Sequence, residues 1–231
     1  MASASSSGIA LLADAHIGGP GGGSQPLVEE LDSLAAAGCR RLVVMGDLFQ
    51  VWVAHERYET EDVRQVLGAL RRLRGQGVHI DYIEGNRDFF VAGSRYADAF
   101  DCVGVETSFS AGGHDYLVVH GDGLNDRDRQ YLFWRWLSKS RPVRWLMFHL
   151  PRALAHWSVH RTERQLSGTN FRHKQEVPEA AIRAYAAGRL GSGFDRLLLG
   201  HFHEPATWAI DGGEVRLVDA WFNTRRVEWV E

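Results

Sequence analysis

The sequence predicts an α/β fold with largely buried sheets, carrying a basic helical insertion. Three observations point that way. Short apolar runs alternate with helical patterns along the chain. Small polar clusters follow those runs immediately. One stretch, by contrast, is helical throughout and strongly basic.

The first strand is expected over Ile9–Ala13 and the second over Leu42–Met45. Both are apolar without alternation, as in strands buried on two faces. Between them Leu27, Leu31 and Leu34 share a helical face that runs out at Gly38. A second helix starts after Thr60, an N-cap followed by Glu61 and Asp62. It carries Val63, Val66, Leu67, Leu70 and Leu73 on one side and stops at Gly75. Val78–Ile83, Leu117–Val119 and Leu197–Leu199 are further strands. Thr207–Ile210 and Glu214–Val218 flank Asp211, Gly212 and Gly213, a hairpin signal.

Residues 127–164 differ from this alternation. They hold Trp134, Trp136, Trp145 and Trp157, half of the eight tryptophans in the chain. Nine Lys and Arg stand there against two acids, giving a local charge of +7 within a chain of net charge -3. Pro142 and Pro151 divide the stretch into separate helices. The stretch reads as a cap inserted into a catalytic domain formed by residues 1–126 and 165–231. Its aromatics suit acyl chains and its arginines suit anionic headgroups or phosphates. The basic balance is local, so no nucleic-acid partner is expected.

With 231 residues and two cysteines, Cys39 and Cys102, the chain suits one sizeable domain without a disulfide framework. Both cysteines are expected to pack as small apolar residues. No signal peptide and no apolar run of membrane-spanning length stands out. A cytoplasmic protein is expected.

The chemistry sits in the polar clusters. In order these are Asp14-Ala15-His16, Gly46-Asp47, Gly85-Asn86-Arg87-Asp88, His120-Gly121-Asp122 and Gly200-His201-Phe202-His203. Ligands tend to bind beyond the carboxyl ends of strands in open α/β sheets, and five strands can deliver these residues to one cleft. Carboxylate, amide and imidazole donors with no thiolate among them suit manganese first, with iron or zinc as alternatives. Two such ions about 3.5–4 Å apart favour in-line displacement at phosphorus by a bridging hydroxide.

This order of motifs resembles the calcineurin-like metallophosphoesterases over nearly the whole chain, and the resemblance implies a sandwich of two packed β-sheets flanked by helices. The resemblance implies that Asp14, His16, Asp47 and His203 hold one metal ion. Asp47, as a bridge, joins Asn86, His120 and His201 on the other. Gly46-Asp47-Leu48-Phe49 with Trp52, Gly85-Asn86-Arg87-Asp88-Phe89 and His120-Gly121-Asp122 narrow the resemblance to the UDP-2,3-diacylglucosamine hydrolases of lipid A biosynthesis. That narrower likeness implies cleavage of a nucleotide-linked lipid at its pyrophosphate, giving UMP and a diacylglucosamine 1-phosphate. It further implies catalytic roles for Arg87, on phosphoryl charge, and for Asp122, orienting the sugar or that arginine. Ser167, Asn170 and Lys174 loosely echo its substrate contacts. Gln50 and Glu204 stand where that family has an acid and an arginine. Peripheral contact with the cytoplasmic face of an anionic inner membrane is a further expectation. The alternative substrate is another nucleotide, phosphodiester or phosphoprotein.

Overall fold

A computed structural model describes residues 7–124, 129–151 and 177–230, together with 154, 159 and 161. Ser167, Asn170 and Lys174 lie outside the described residues, as does Trp157.

The first sheet is built from β1 (Ile9–Leu12), β2 (Arg41–Val44), β4 (His79–Ile83), β6 (Cys102–Gly104) and β12 (Glu228–Trp229). Its order is β12-β1-β2-β4-β6, with β12 antiparallel to β1 and the remaining pairs parallel. The second contains β7 (Glu106–Ala111), β8 (His114–Val119), β9 (Arg196–Leu199), β10 (Ala206–Ile210) and β11 (Gly213–Leu217), in the order β10-β11-β9-β8-β7. Two short strands, β3 (Trp52–Val53) and β5 (Asp88–Phe89), pair in parallel beside the first sheet.

Residue alternation along the strands explains the layers. In β1 the side chains of Ile9 and Leu11 meet the second sheet, packing with Val43, Met45, Tyr116, Val118 and Leu198. Ala10 and Leu12 face the other way. There they pack with Leu27, Leu31 and Leu34 of α1 (Gln25–Leu34) and with the apolar side of α2 (Glu61–Gly75). The outer face of the second sheet is covered by Ile182 and Ala186 of α5 (Glu179–Arg189), against Leu117, Leu197 and Val215. Helix, sheet, sheet and helix therefore stack in four layers, as the unbroken apolar runs require.

Local signals hold at the predicted ends. Thr60 Oγ1 accepts from the Val63 N–H at 3.3 Å, capping α2. Asp211 and Gly212, at φ 48° and 83°, form the two-residue turn joining β10 to β11. The helical stretch contains α3 (Arg129–Ser138) and α4 (Arg141–His149), separated at Ser140 with Pro142 in the first turn of α4. Val143, Met147 and Phe148 of α4 pack on Val53, Tyr58 and Phe90 of the body. Among the described residues no helix is long and apolar enough to cross a membrane.

One expectation is corrected. Cys39 is buried, but Cys102 is exposed on the edge strand β6, which no further strand covers among the described residues. Burial pushes the Cys39 thiol up to about 11, and the thiolate is the reactive form. Ellman's reagent at neutral pH is therefore expected to titrate one thiol rapidly in the folded, chelator-stripped protein and both in denaturant. Rapid reaction of both thiols in the folded state would contradict this packing.

Candidate metal centre

The polar clusters converge at the carboxyl ends of β1, β2, β4, β8 and β9. Asp14 and His16 follow β1, Asp47 follows β2, Asn86 follows β4, His120 follows β8, and His201 and His203 follow β9. They form two adjoining groups of donors. In one, ligand atoms of Asp14, His16 and His203 lie within 4.8 Å of one another; in the other, those of Asp47, His120 and His201 do. Asn86 Oδ1 is 3.2 Å from His120 Nε2, which brings it into the second group.

Asp47 stands between the groups. Its Oδ2 is 3.9 Å from His16 Nε2 and its Oδ1 is 3.7 Å from His120 Nε2. Oδ1 also accepts from the Arg87 N–H at 2.9 Å. Oδ2 is buried and accepts no hydrogen bond from the described residues, although Arg87 Nε lies 3.3 Å away. A buried carboxylate oxygen left in that state is costly.

One imidazole is set by its other nitrogen. His120 Nδ1 lies 2.7 Å from the Met45 carbonyl and donates to it, so in the neutral ring Nε2, on the side of Asp47 and Asn86, is the atom that can ligate a cation. His203 Nε2 is 3.1 Å from Asp14 Oδ1 and 3.3 Å from His16 Nε2. Asp14 Oδ2 accepts from the His201 N–H at 2.7 Å, tying the first strand end to the last.

Backbone strain gathers at the same place. Asp14, His16, Asp47, His201 and His203 all have positive φ, between 45° and 70°. These five are candidate ligands, among eight non-glycine residues of that kind described. Each costs on the order of 1–3 kcal/mol and persists where surrounding structure enforces it. Glycine at position 46 is also imposed by the site: a Cβ there would stand 2.7 Å from Gly85 N and 2.8 Å from His120 Nδ1.

Electrostatics separate the two central carboxylates. Burial opposes charge on Asp14, but the hydrogen bond to His203 and the nearby imidazoles outweigh it and hold that carboxyl well below the usual range. On Asp47 burial prevails, reinforced by Asp14, and its pKa is raised. The concentration of buried acids is the charge pattern that a divalent cation neutralises.

Asp88 is the structural residue that motif reading left without a role. Its Oδ2 accepts from both Asp47 N at 2.9 Å and Gly85 N at 2.8 Å, clamping together the loops that carry the candidate ligands Asp47 and Asn86. Burial and the neighbouring Asp47 push its carboxyl up to about 7. Two further supports carried no signal in the sequence. Asn223 donates to the His203 carbonyl at 3.1 Å, and Phe222 packs edge-on against the His203 ring.

Arg87 is buried at the centre, beside Asp47. Asp122 meets a different arginine from the one expected: its Oδ2 accepts from Arg135 Nε at 2.5 Å and from the Tyr131 hydroxyl at 2.9 Å, both on α3. The two arginines divide the acids: Arg135 of α3 pairs with Asp122, whereas Arg87 pairs with Asp47 and donates to the Gln50 carbonyl at 3.4 Å. Lys139, at the end of α3, donates to the Gly85 carbonyl at 2.9 Å. Gln50 is buried and Glu204 is exposed.

No family model matches the chain. It is similar to a UDP-2,3-diacylglucosamine hydrolase of Pseudomonas putida, 30% identical over 204 residues that cover 84% of this chain and 82% of the relative. A UDP-2,3-diacylglucosamine hydrolase of Edwardsiella ictaluri is 29% identical over 180 residues, covering 76% of this chain and 69% of the relative. Among solved structures, a hypothetical protein of Pyrococcus horikoshii superposes with a TM-score of 0.50 at 12% identity, over 96% of this chain and 86% of that one. A phosphopantetheinyl hydrolase of Mycobacterium tuberculosis reaches a TM-score of 0.48 at 14% identity, over 96% of each chain.

Proposed function

Because the chain belongs to the UDP-2,3-diacylglucosamine hydrolase family, and is by that membership a metal-dependent hydrolase, we propose that its two donor groups hold two divalent ions and that it cleaves the pyrophosphate of a UDP-linked diacylglucosamine. The observation that carries this reading is the position of Asp47 between two groups of oxygen and nitrogen donors, with a buried oxygen that lacks a hydrogen bond. The donor set fits divalent ions: Asp14, His16, Asp47 and His203 for one, and Asp47, Asn86, His120 and His201 for the other. Manganese, iron and zinc all accept such ligands. When bound, two ions supply Lewis acidity at phosphorus and a nucleophile at neutral pH.

The chain's own residues do the rest. Asp88 and the backbone strain fix Asp47 and Asn86 before substrate arrives, so little reorganisation accompanies reaction. Arg87 is the residue for charge on the phosphoryl group, since a planar guanidinium matches two oxygens at once. It reaches that role by turning from Asp47 Oδ2, its neighbour at 3.3 Å. Asp122 holds Arg135 and Tyr131 at the mouth of the site. Burial opposes its charge, but His120 and Arg135 lower its carboxyl to about 2. It therefore stays ionised at neutral pH and acts as an anchor, not as a proton donor.

Substrate class rests on what surrounds the centre. A cavity of about 210 Å³ lies next to the Asp14–His16 and Asp47 loops, with Ile17, Phe49, Val51, Val53 and Tyr58 among its lining residues. Phe133, Trp134, Trp136, Trp145 and Leu146 are each more than half exposed on α3 and α4. Exposed aromatics interspersed with arginine suit an anionic lipid surface and acyl chains. On this reading residues 127–164 act as a cap, Ser167, Asn170 and Lys174 serve the substrate, and the protein docks peripherally on the cytoplasmic face of the inner membrane.

The test is hydrolysis with added Mn²⁺ of UDP-2,3-diacylglucosamine beside an aryl phosphodiester. UMP release from the lipid is expected to be faster by ~10³ or more in kcat/KM, about 4 kcal/mol of transition-state discrimination. Equal rates would remove the lipid assignment and leave a metallophosphoesterase with another substrate.

A further inference from the structure

A second set of donors lies at the opposite end of the first sheet, independent of the centre above. His79 opens β4, and Asp81 stands two residues on, so both side chains project from one face. In the parallel pairing of β4 with β6, Asp81 is in register with Cys102, which brings the thiol to the same face. Ligand atoms of His79, Asp81 and Cys102 lie within 4.8 Å of one another. The candidate centre follows the carboxyl ends of these strands. His79 sits at the amino end, four rises or roughly 13 Å from the last residue of β4.

The surroundings hold these donors as a metal site requires. Asp81 is buried, and its Oδ2 is fixed by Arg41 Nε at 2.6 Å, while its Oδ1 faces His79 Nε2 at 3.2 Å. Arg41 is itself held over the Phe109 ring and donates to the Ser108 carbonyl at 3.3 Å. On the other side of the imidazole, His79 Nδ1 is 3.7 Å from Asp101 Oδ2, a carboxylate placed to orient the ring once Nε2 binds a cation. His79 and Cys102 are exposed, so an ion has a path in.

We propose that His79 Nε2, Asp81 Oδ1 and Cys102 Sγ form a third divalent-cation site, selective for a thiophilic ion such as Zn²⁺, with water completing a tetrahedron. One imidazole, one carboxylate and one thiolate leave a doubly charged ion electrically neutral. Binding replaces the His79–Asp81 hydrogen bond, the neutral imidazole carrying its proton on Nδ1 toward Asp101 instead of on Nε2, and releases the Cys102 proton to solvent, so affinity rises with pH. Zn²⁺ here pins the edge strand β6 to β4. Arg41, beside the carboxylate, weakens the site relative to a closed structural zinc site.

Cobalt separates this site from the catalytic centre, whose donors include no sulfur. Chelator-stripped full-length protein is titrated with Co²⁺, and a sulfur-to-cobalt charge-transfer band in the near ultraviolet is expected to saturate at an intensity that corresponds to one thiolate-bound ion per chain, beyond the ions taken by the sulfur-free centre. Cys102→Ser is expected to abolish the band and to lower Zn²⁺ content by one equivalent in elemental analysis. His79→Ala is expected to weaken the band's midpoint at least ~10-fold, and Cys39→Ser to preserve it. Mn²⁺-supported hydrolysis is expected to be unchanged in the Cys102 and His79 variants. Absence of the band in wild type, its survival in Cys102→Ser, or equal Zn²⁺ content in the two proteins would overturn the site without touching the hydrolase reading. Because both side chains are exposed, the variants retain the folded core, which far-ultraviolet dichroism verifies.

Discussion

Asp47→Asn is expected to lower kcat/KM by ~10³ or more, about 4 kcal/mol, while leaving the metal-free protein as stable as wild type or more so. The two halves of this expectation share one cause. Asp47 stands between both donor groups, so on the proposed two-ion reading neutralising it weakens both ions at once. The same carboxylate is buried beside Asp14, and its raised pKa means that the fold disfavours its ionised form. A carboxyl whose folded pKa exceeds its unfolded value costs stability above that folded pKa, where the unfolded state is freely ionised. Asparagine removes the charge and keeps an oxygen to accept from Arg87 N. Thermal melts with and without Mn²⁺ report the stability, and elemental analysis reports occupancy. Near-normal turnover with two bound equivalents would refute the bridging role, whereas a lower metal-free Tm would show that Asp47 is needed for the fold.

This trade of stability against function explains which parts of the molecule the sequence discloses. Buried parallel strands read as apolar runs, and Ile9–Leu12 and Arg41–Val44 fall within a residue of the expected limits. The candidate ligands stand out because they cluster just after such runs, and Asp47, Asn86, His120 and His201 each stand beside a glycine. Their strain is invisible in the sequence, since Asp and His at positive φ leave no compositional trace. Strand β7 was missed for a different reason. Its Glu-Thr-Ser-Phe-Ser-Ala alternates around a single buried residue, Phe109, and resembles a loop until β8 pairs with it. The Asp122–Arg135 pair was equally hidden. Thirteen residues separate the partners, and only the folded placement of α3 joins them. Cys102 was misjudged because burial on an edge strand depends on whether another strand follows, a property of topology and not of composition.

Trp52 shows how a motif residue can serve the site from the core, and Trp52→Ala is expected to destabilise the protein by about 3–5 kcal/mol. The indole is 2% exposed and packs edge-on against Phe49, Tyr82, Tyr96 and Phe100, with ring centroids 5.2–6.5 Å apart. Its backbone N–H donates to the Arg87 carbonyl at 2.8 Å within the β3–β5 pair, which joins the segment after Asp47 to the segment after Asn86. Truncation leaves a cavity beneath both ligand loops, and close-packed neighbours fill it only in part. For a chain of this size the loss corresponds to a Tm lower by roughly 10 °C. Trp52→Phe keeps much of the aromatic contact and is expected to lose less than half as much. If the tryptophan acts through packing alone, both variants retain two metal equivalents below their Tm, with kcat lowered more than KM is raised as the loops loosen. A Trp52→Ala protein that melts within ~2 °C of wild type would show that the aromatic cluster does not hold the two loops in register.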